Sequence, residues 1–149
     1  MVLAIRSKTI EIQASPEKAW EVLTDFERDG EWNPFNPQIR ATPSVMFSPV
    51  DILVAQIGRD SKPNRVVEQL CVFLPPRQLS WSVYFGHPAI LRAQRDQLIT
   101  PLGEQRCSYM TVDWFSGWIM KPVMRFQADN VQRGFDAVAD AFKARCESL

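Results

Sequence analysis

The strongest constraint on this chain is an apolar row near its C-terminus. Between Phe115 and Leu149, the residues Phe126, Val131, Phe135, Val138, Ala139, Phe142 and Cys146 recur at helical spacing. Asp129, Gln132, Arg133, Asp136, Asp140, Lys143 and Arg145 fill the opposite side. A stripe of that length needs a broad apolar partner. The preceding chain reads as strands, so the spacing predicts one long helix lying across a curved sheet, with room for a ligand between them.

The strands are read from alternation and from turn residues. Val2 to Gln13 is a first strand, with Ile10 and Ile12 on one face. Ser15-Pro16-Glu17 is a helix start: an N-cap, a residue with φ already set, and an acid in the first turn. The helix runs to about Thr24. The stretch Trp32-Asn33-Pro34-Phe35-Asn36-Pro37 is a turn, because both Asn residues precede Pro and their side chains close turns on their own backbone. Trp32 and Phe35 on that turn either plug the core or rim a cavity. Further strands are expected over Gln38 to Met46 (ending near Pro43), Val50 to Ile57, Arg65 to Leu74, Gln78 to Phe85, Ile90 to Thr100 and Arg106 to Ser116. Antiparallel strands with short turns, an early short helix and a late long one make a single α+β domain over 1–149.

Composition excludes several classes. Lys plus Arg and Asp plus Glu stand at 17 each, which offers no general field for nucleic acid or an anionic membrane. No apolar run approaches the roughly 20 residues that span a bilayer, so no stable membrane insertion is expected. Met1 to Lys8 lacks an apolar signal core, which reads as cytoplasmic. Cys71, Cys107 and Cys146 are scattered and His87 is the lone histidine, so no metal site and no cofactor are expected. His87, between Gly86 and Pro88, reads as an exposed turn residue. No phosphate-binding loop, nucleophile elbow or zinc-protease motif occurs.

The last two strands carry the candidate chemistry. In the first of them, Leu91, Ala93, Arg95, Gln97 and Ile99 form the more apolar row. A hairpin closing around Pro101 to Gln105 puts Ile99 near Cys107 and Gln97 near Tyr109, with Arg95 and Asp113 diagonal on one face. The inward row of the second strand is then Cys107, Tyr109, Thr111, Asp113 and Phe115. Hydrophobicity alone selects Met110, Val112 and Trp114 instead, by a one-residue change of register. If the odd row is inside, it places more polarity there than a solid core tolerates, and a cavity resolves that conflict.

Several motifs in order resemble the START-like SRPBCC superfamily, nearest its polyketide cyclase/dehydrase and lipid-transport-like group. They are Ile10-x-Ile12-x-Ala14-Ser15-Pro16-x-x-x-Trp20-x-x-Leu23-Thr24-Asp25, Glu31-Trp32-Asn33-Pro34-Phe35, Pro75-Pro76-Arg77-x-Leu79-x-Trp81, Asp113-x-Phe115-Ser116-Gly117, Arg133-Gly134-Phe135 and Ala141-Phe142-Lys143-x-Arg145-x-Glu147. The resemblance implies a helix-grip fold: a seven-stranded antiparallel sheet curved around the C-terminal helix, with two short helices after the first strand. It implies a cavity for lipids, sterols, polyketides or other hydrophobic molecules, and only some members are enzymes. Relatives often carry His at the position of Arg95 and Glu at that of Asp113. A guanidinium does not titrate in the useful range, so a proton-transfer role borrowed from that His does not carry over.

The expected site therefore has Trp20, Trp32, Phe35, Trp81, Phe126 and Phe135 as walls or rim, and Arg95, Gln97, Tyr109, Thr111 and Asp113 as a polar end. The leading expectation is a carrier or sensor of a hydrophobic small molecule (lipid, sterol, quinone or polyketide-like). The second is a polyketide cyclase or aromatase using the same cavity, with Tyr109, Asp113 or a water supplying proton transfer and no single catalytic residue assigned. The third is a protein-interaction module, in which outward Met110 and Trp114 make a homodimer contact.

Overall fold

The computed structural model describes residues 2–42 and 44–149. Eight strands and two α-helices build it: β1 (Val2–Arg6), β2 (Ile10–Ile12), α1 (Pro16–Thr24), β3 (Ile39–Ala41), β4 (Pro49–Val54), β5 (Asn64–Leu74), β6 (Gln78–Tyr84), β7 (Arg92–Gly103), β8 (Arg106–Ser116) and α2 (Met120–Ser148). A 3₁₀ turn, Phe26–Glu31, follows α1. The sheet is antiparallel throughout, in the order β1-β8-β7-β6-β5-β4-β3, with β2 also paired to β8. This is the helix-grip arrangement.

The expected first strand is interrupted. β1 and β2 pair with successive parts of β8, and the buried Ser7 sits in the break. Its hydroxyl accepts from the Thr111 amide at 3.0 Å and its own amide donates to the Thr111 carbonyl at 2.9 Å. Counting β1 and β2 as one broken strand gives seven. The third strand is shorter than expected, Ile39–Ala41, and its expected end at Pro43 lies outside the described residues. α1 begins as its sequence dictates, with the Ser15 hydroxyl accepting from the Lys18 amide at 3.1 Å.

The β7–β8 hairpin is tighter than the sequence reading. A bulge between Pro101 and Gly103 lets Gly103 pair with Arg106, leaving Glu104 and Gln105 as the turn. Ile99 therefore faces Tyr109, Gln97 faces Thr111, and Arg95 lies directly opposite Asp113, not diagonal to it. The correction is two residues, so the faces do not change. Cys107, Tyr109, Thr111 and Phe115 are buried; on the other row Val112 is buried too, but Met110 is half-buried and Trp114 exposed. The odd row is inside.

α2 divides the interior into two halves. Its C-terminal half buries Phe135, Val138, Ala139, Phe142 and Cys146. Phe142 packs on Tyr109 at 4.6 Å and on Trp32 at 5.5 Å between ring centres, so this end is solid. The polar face of the same half is tied to the edge strand: Lys8 pairs with Asp140 at 2.7 Å, and Lys143 donates to the Glu11 carbonyl at 2.8 Å. Nearer the N-terminal half, the buried Asn130 accepts from the Ile57 amide at 2.8 Å and donates to the Ala55 carbonyl at 3.1 Å. That clamp fixes the helix above the sheet while the space beneath it stays open.

Candidate functional site

The open space is a cavity of about 270 Å³ between the first turns of α2 and the middle of the sheet. Its walls are mainly apolar: Phe35, Ile52, Val54, Val66 and Val83 from the sheet side, and Val123, Met124 and Phe135 from α2. Glu68, Arg95 and Asp113 are its charged residues. A wider, open hollow between the 3₁₀ turn and β3, bounded by Glu27, Gln38 and Arg40, lies outside this space and contains none of the buried charges.

The polar end is organised by Arg95, which is 5% exposed. Its Nη1 donates to Asn36 Oδ1 at 2.6 Å and its Nε donates to Thr111 Oγ1 at 3.0 Å. The guanidinium carbon stands 4.7 Å from the Phe135 ring centre and 5.8 Å from that of Trp81. A planar fork held by two acceptors between two rings has no rotational freedom left. Its Nη2 is buried without a hydrogen-bond partner, and so is Oδ1 of Asp113 on the neighbouring strand.

Asn36 is in place because the turn before it is closed as its sequence requires. Asn33 Oδ1 accepts from the amides of Phe35 and Asn36, at 3.1 and 2.8 Å. Asn36 then donates to the Leu53 carbonyl at 3.2 Å and turns its oxygen to Arg95.

Three carboxyl groups surround this one guanidinium. Burial pushes Asp113 up to about 7, against the pull of Arg95. Burial and the nearby Asp113 push Glu68 up to about 8. Asp29, 2% exposed in the 3₁₀ turn, is pushed by burial up to about 8, although Asn33 and Arg95 pull it the other way. All three hold protons more tightly in the folded protein than in the unfolded chain. The stability that these three groups contribute is therefore fully present below the unfolded carboxyl range and is lost as pH rises through about 7 to 8. Surface acids such as Glu147, held low by the Gln13 amide and Lys143, act in the opposite sense only at acid pH. Thermal unfolding should thus show the protein more stable at pH 5.5 than at pH 8.5, by at least about 1 kcal/mol, with a smaller difference in Asp113→Asn. Equal or greater stability at pH 8.5 would contradict the placement of the buried Asp29 and the half-buried Glu68 and Asp113.

Of the residues singled out from sequence, Phe35, Phe135, Arg95 and Asp113 come together around the cavity. Phe35 and Phe135 meet edge to face at 5.8 Å. Gln97, Tyr109 and Thr111 adjoin Arg95 but belong to the solid half. Tyr109 donates to Gln97 at 3.0 Å, and Thr111 donates to the Asp96 carbonyl at 3.1 Å while accepting from Arg95. Trp81 is buried beneath the guanidinium and Trp20 packs on Phe73, so neither forms a wall. Trp32 plugs the filled end against Phe142 and is no part of a rim.

Phe126 is corrected as a member of the buried stripe and as a wall, since it is 81% exposed and does not line the cavity. The step of five from Phe126 to Val131 turns the helix about 140° off the stripe, whereas the later steps keep phase. Glu68, Asp29 and Asn36 are the site residues that the sequence reading did not assign. Glu68 had a visible signal, a carboxylate between Val66 and Leu70 on one strand row. Asp29 had none, because it sits in a charged run that reads as solvated turn. The outward Trp114 is engaged: its Nε1 donates to Asp96 Oδ2 at 2.9 Å and Arg6 lies 5.3 Å from its ring.

With this geometry, comparison with known proteins becomes informative. The family described as Polyketide cyclase / dehydrase and lipid transport matches residues 6–147. No functionally curated protein matches the sequence. Among solved structures, the ZhuI aromatase/cyclase of Streptomyces sp. R1128 superposes with a TM-score of 0.77 at 15% identity, over 99% of this chain and 94% of that one. A START superfamily protein of Mycobacterium smegmatis gives 0.69 at 17% identity, over 99% and 98%. Norcoclaurine synthase of Thalictrum flavum gives 0.69 at 12% identity, over 98% and 94%. At such identities the likeness is one of fold.

Proposed function

The chain belongs to the polyketide cyclase / dehydrase and lipid transport family, and on that premise we propose that it carries or senses a compact, largely apolar molecule bound in the cavity under α2. One observation carries this reading. Arg95 Nη2 and Asp113 Oδ1 are buried and unpartnered at the charged end of an otherwise apolar space. Each such atom costs about 1–3 kcal/mol while unpaired. A ligand with a hydrogen-bond acceptor for Nη2 and a donor for Oδ1 removes both costs, and its apolar body covers the walls.

The size of the space narrows the class. About 270 Å³ falls at the low edge of small-molecule pockets and corresponds to roughly nine waters. A compact phenol, quinol or hydroxyketone suits it better than a whole sterol. Burial supplies about 25 cal/mol per Å² before the costs of association. Native mass spectrometry of protein purified without denaturant should show a bound small molecule. Val123→Trp, which fills the cavity from α2, should release it. Empty protein that takes up no ring phenol or quinol in calorimetry would overturn the reading.

One observation favours a cyclase-type enzyme as the second reading. Two carboxyl groups, Asp113 and Glu68, are held near neutrality in the same cavity, where a proton can be taken and returned at physiological pH. Asp113→Asn separates the two. A carrier loses affinity, whereas an enzyme keeps affinity and loses turnover.

A further inference from the structure

The acidic and basic residues balance over the whole chain but not over one end of the molecule. Residues 2–10, 84–94 and 114–128 contain no Asp or Glu, and of their basic residues Arg6, Arg92, Lys121 and Arg125 stand apart from Lys8, which is paired with Asp140. The fold brings these segments together. β1 pairs with the end of β8, and the amides of Trp118 and Ile119 donate to the carbonyls of Ala89 and Ile90 at 3.0 and 3.1 Å. Gly117, at φ 114°, makes that approach possible, since a Cβ there would overlap the Ile90 carbonyl.

The same end exposes large apolar side chains. Trp118 is 82% exposed and Phe126 81%, and Val2, Tyr84, Phe85 and Ile119 are also exposed. Pro122 and Phe126 lie one turn apart on α2, Lys121 and Arg125 form the adjacent row, and Trp118 stands in the turn just before the helix. The backbone under Trp118 is pinned while its ring stands in solvent. The next acid along α2 is Asp129, one turn beyond Arg125, and the cavity itself holds Glu68 and Asp113. Phe85 and Val123, which line the cavity, border this surface, so it surrounds the cavity mouth.

We propose that this end docks on anionic phospholipid bilayers, with Trp118 and Phe126 seated at the headgroup level and Lys121 and Arg125 against the lipid phosphates. Tryptophan and phenylalanine beside basic residues are the composition that interfacial surfaces use. Lys121 and Arg125 beside exposed aromatic rings, on a chain of zero net charge, make this surface complementary to a negative bilayer. Docking here would open the cavity toward the lipid phase, but the proposal stands without the ligand reading, because none of the four residues lines the cavity.

Co-sedimentation with phosphatidylcholine vesicles, plain or with about one-third phosphatidylserine, tests it at about 0.1 M salt. The protein should pellet with the anionic vesicles only, and release as salt rises. Trp118→Ala and Phe126→Ala should each weaken partitioning about tenfold. The double substitution Lys121→Ala/Arg125→Ala should weaken it about thirtyfold, near fivefold per charge. All are surface changes, so circular dichroism should match the parent. Failure to pellet, or pelleting indifferent to these substitutions, overturns the proposal. So does a dimer in light scattering that Trp118→Ala splits, which would make the patch a contact between copies. Uptake of a soluble phenol without any vesicle binding would overturn docking and leave the cavity reading intact.

Discussion

Arg95→Met should lower the unfolding free energy by about 3–5 kcal/mol in urea denaturation, the cost of stranding buried partners of a charge. Asn36 Oδ1 and the Thr111 hydroxyl would lose their donor, and Asp29, Asp113 and Glu68 their only common cation. Arg95→Lys should rescue little, because one ammonium cannot reach the two acceptors in their fixed fork geometry. Asp113→Asn should move the other way and gain about 1 kcal/mol. It removes a carboxyl that burial already holds near neutrality and whose Oδ1 has no partner. The double variant Arg95→Met/Asp113→Asn should therefore recover part of the loss. A cost below about 1 kcal/mol for Arg95→Met would mean that the guanidinium is not integrated as its contacts imply.

That asymmetry between neighbours explains why part of the site was legible in sequence. The face of β8 could be inferred although its register was misplaced by two residues, since any even shift conserves which side chains point inward. Arg95 and Asp113 stood out because charges on an inward row conflict with a solid core. The long helix was readable from its phase, and the same arithmetic applied strictly would have removed Phe126 from the stripe. What no local pattern carried was the division of the interior. Gln97, Tyr109 and Thr111 occupy the same face as Arg95, yet Phe142 fills the space over Tyr109 while Arg95 borders the open cavity. The difference lies in where α2 crosses the sheet, and contacts far apart in sequence set it, such as Asn130 with residues 55 and 57. The same applies to Asp29, whose burial depends on the 3₁₀ turn folding back over the core.

Gly134→Ala should destabilise the protein by about 1–3 kcal/mol, whereas glycine to alanine inside a helix ordinarily gains about 1 kcal/mol. Gly134 is buried within α2, and a Cβ there would fall inside the ring of Phe35. Phe35 has little room to retreat. Its amide is bonded to Asn33, its carbonyl accepts from Ala55, and its ring meets Phe135 at right angles. The cavity is the one open direction, so whatever the ring gains by moving is taken from the ligand space. Phe35→Ala alone should cost about 3–5 kcal/mol, as for other buried aromatic truncations. In that background the sign at position 134 should reverse, and Gly134→Ala should stabilise by about 0.5–1 kcal/mol through helix propensity. The coupling between the two positions would then be about 1.5–4 kcal/mol in a double-mutant cycle. Additive costs would show that ring and helix do not touch in solution. The wall that separates the filled half from the open half would then have to be formed by something other than this contact.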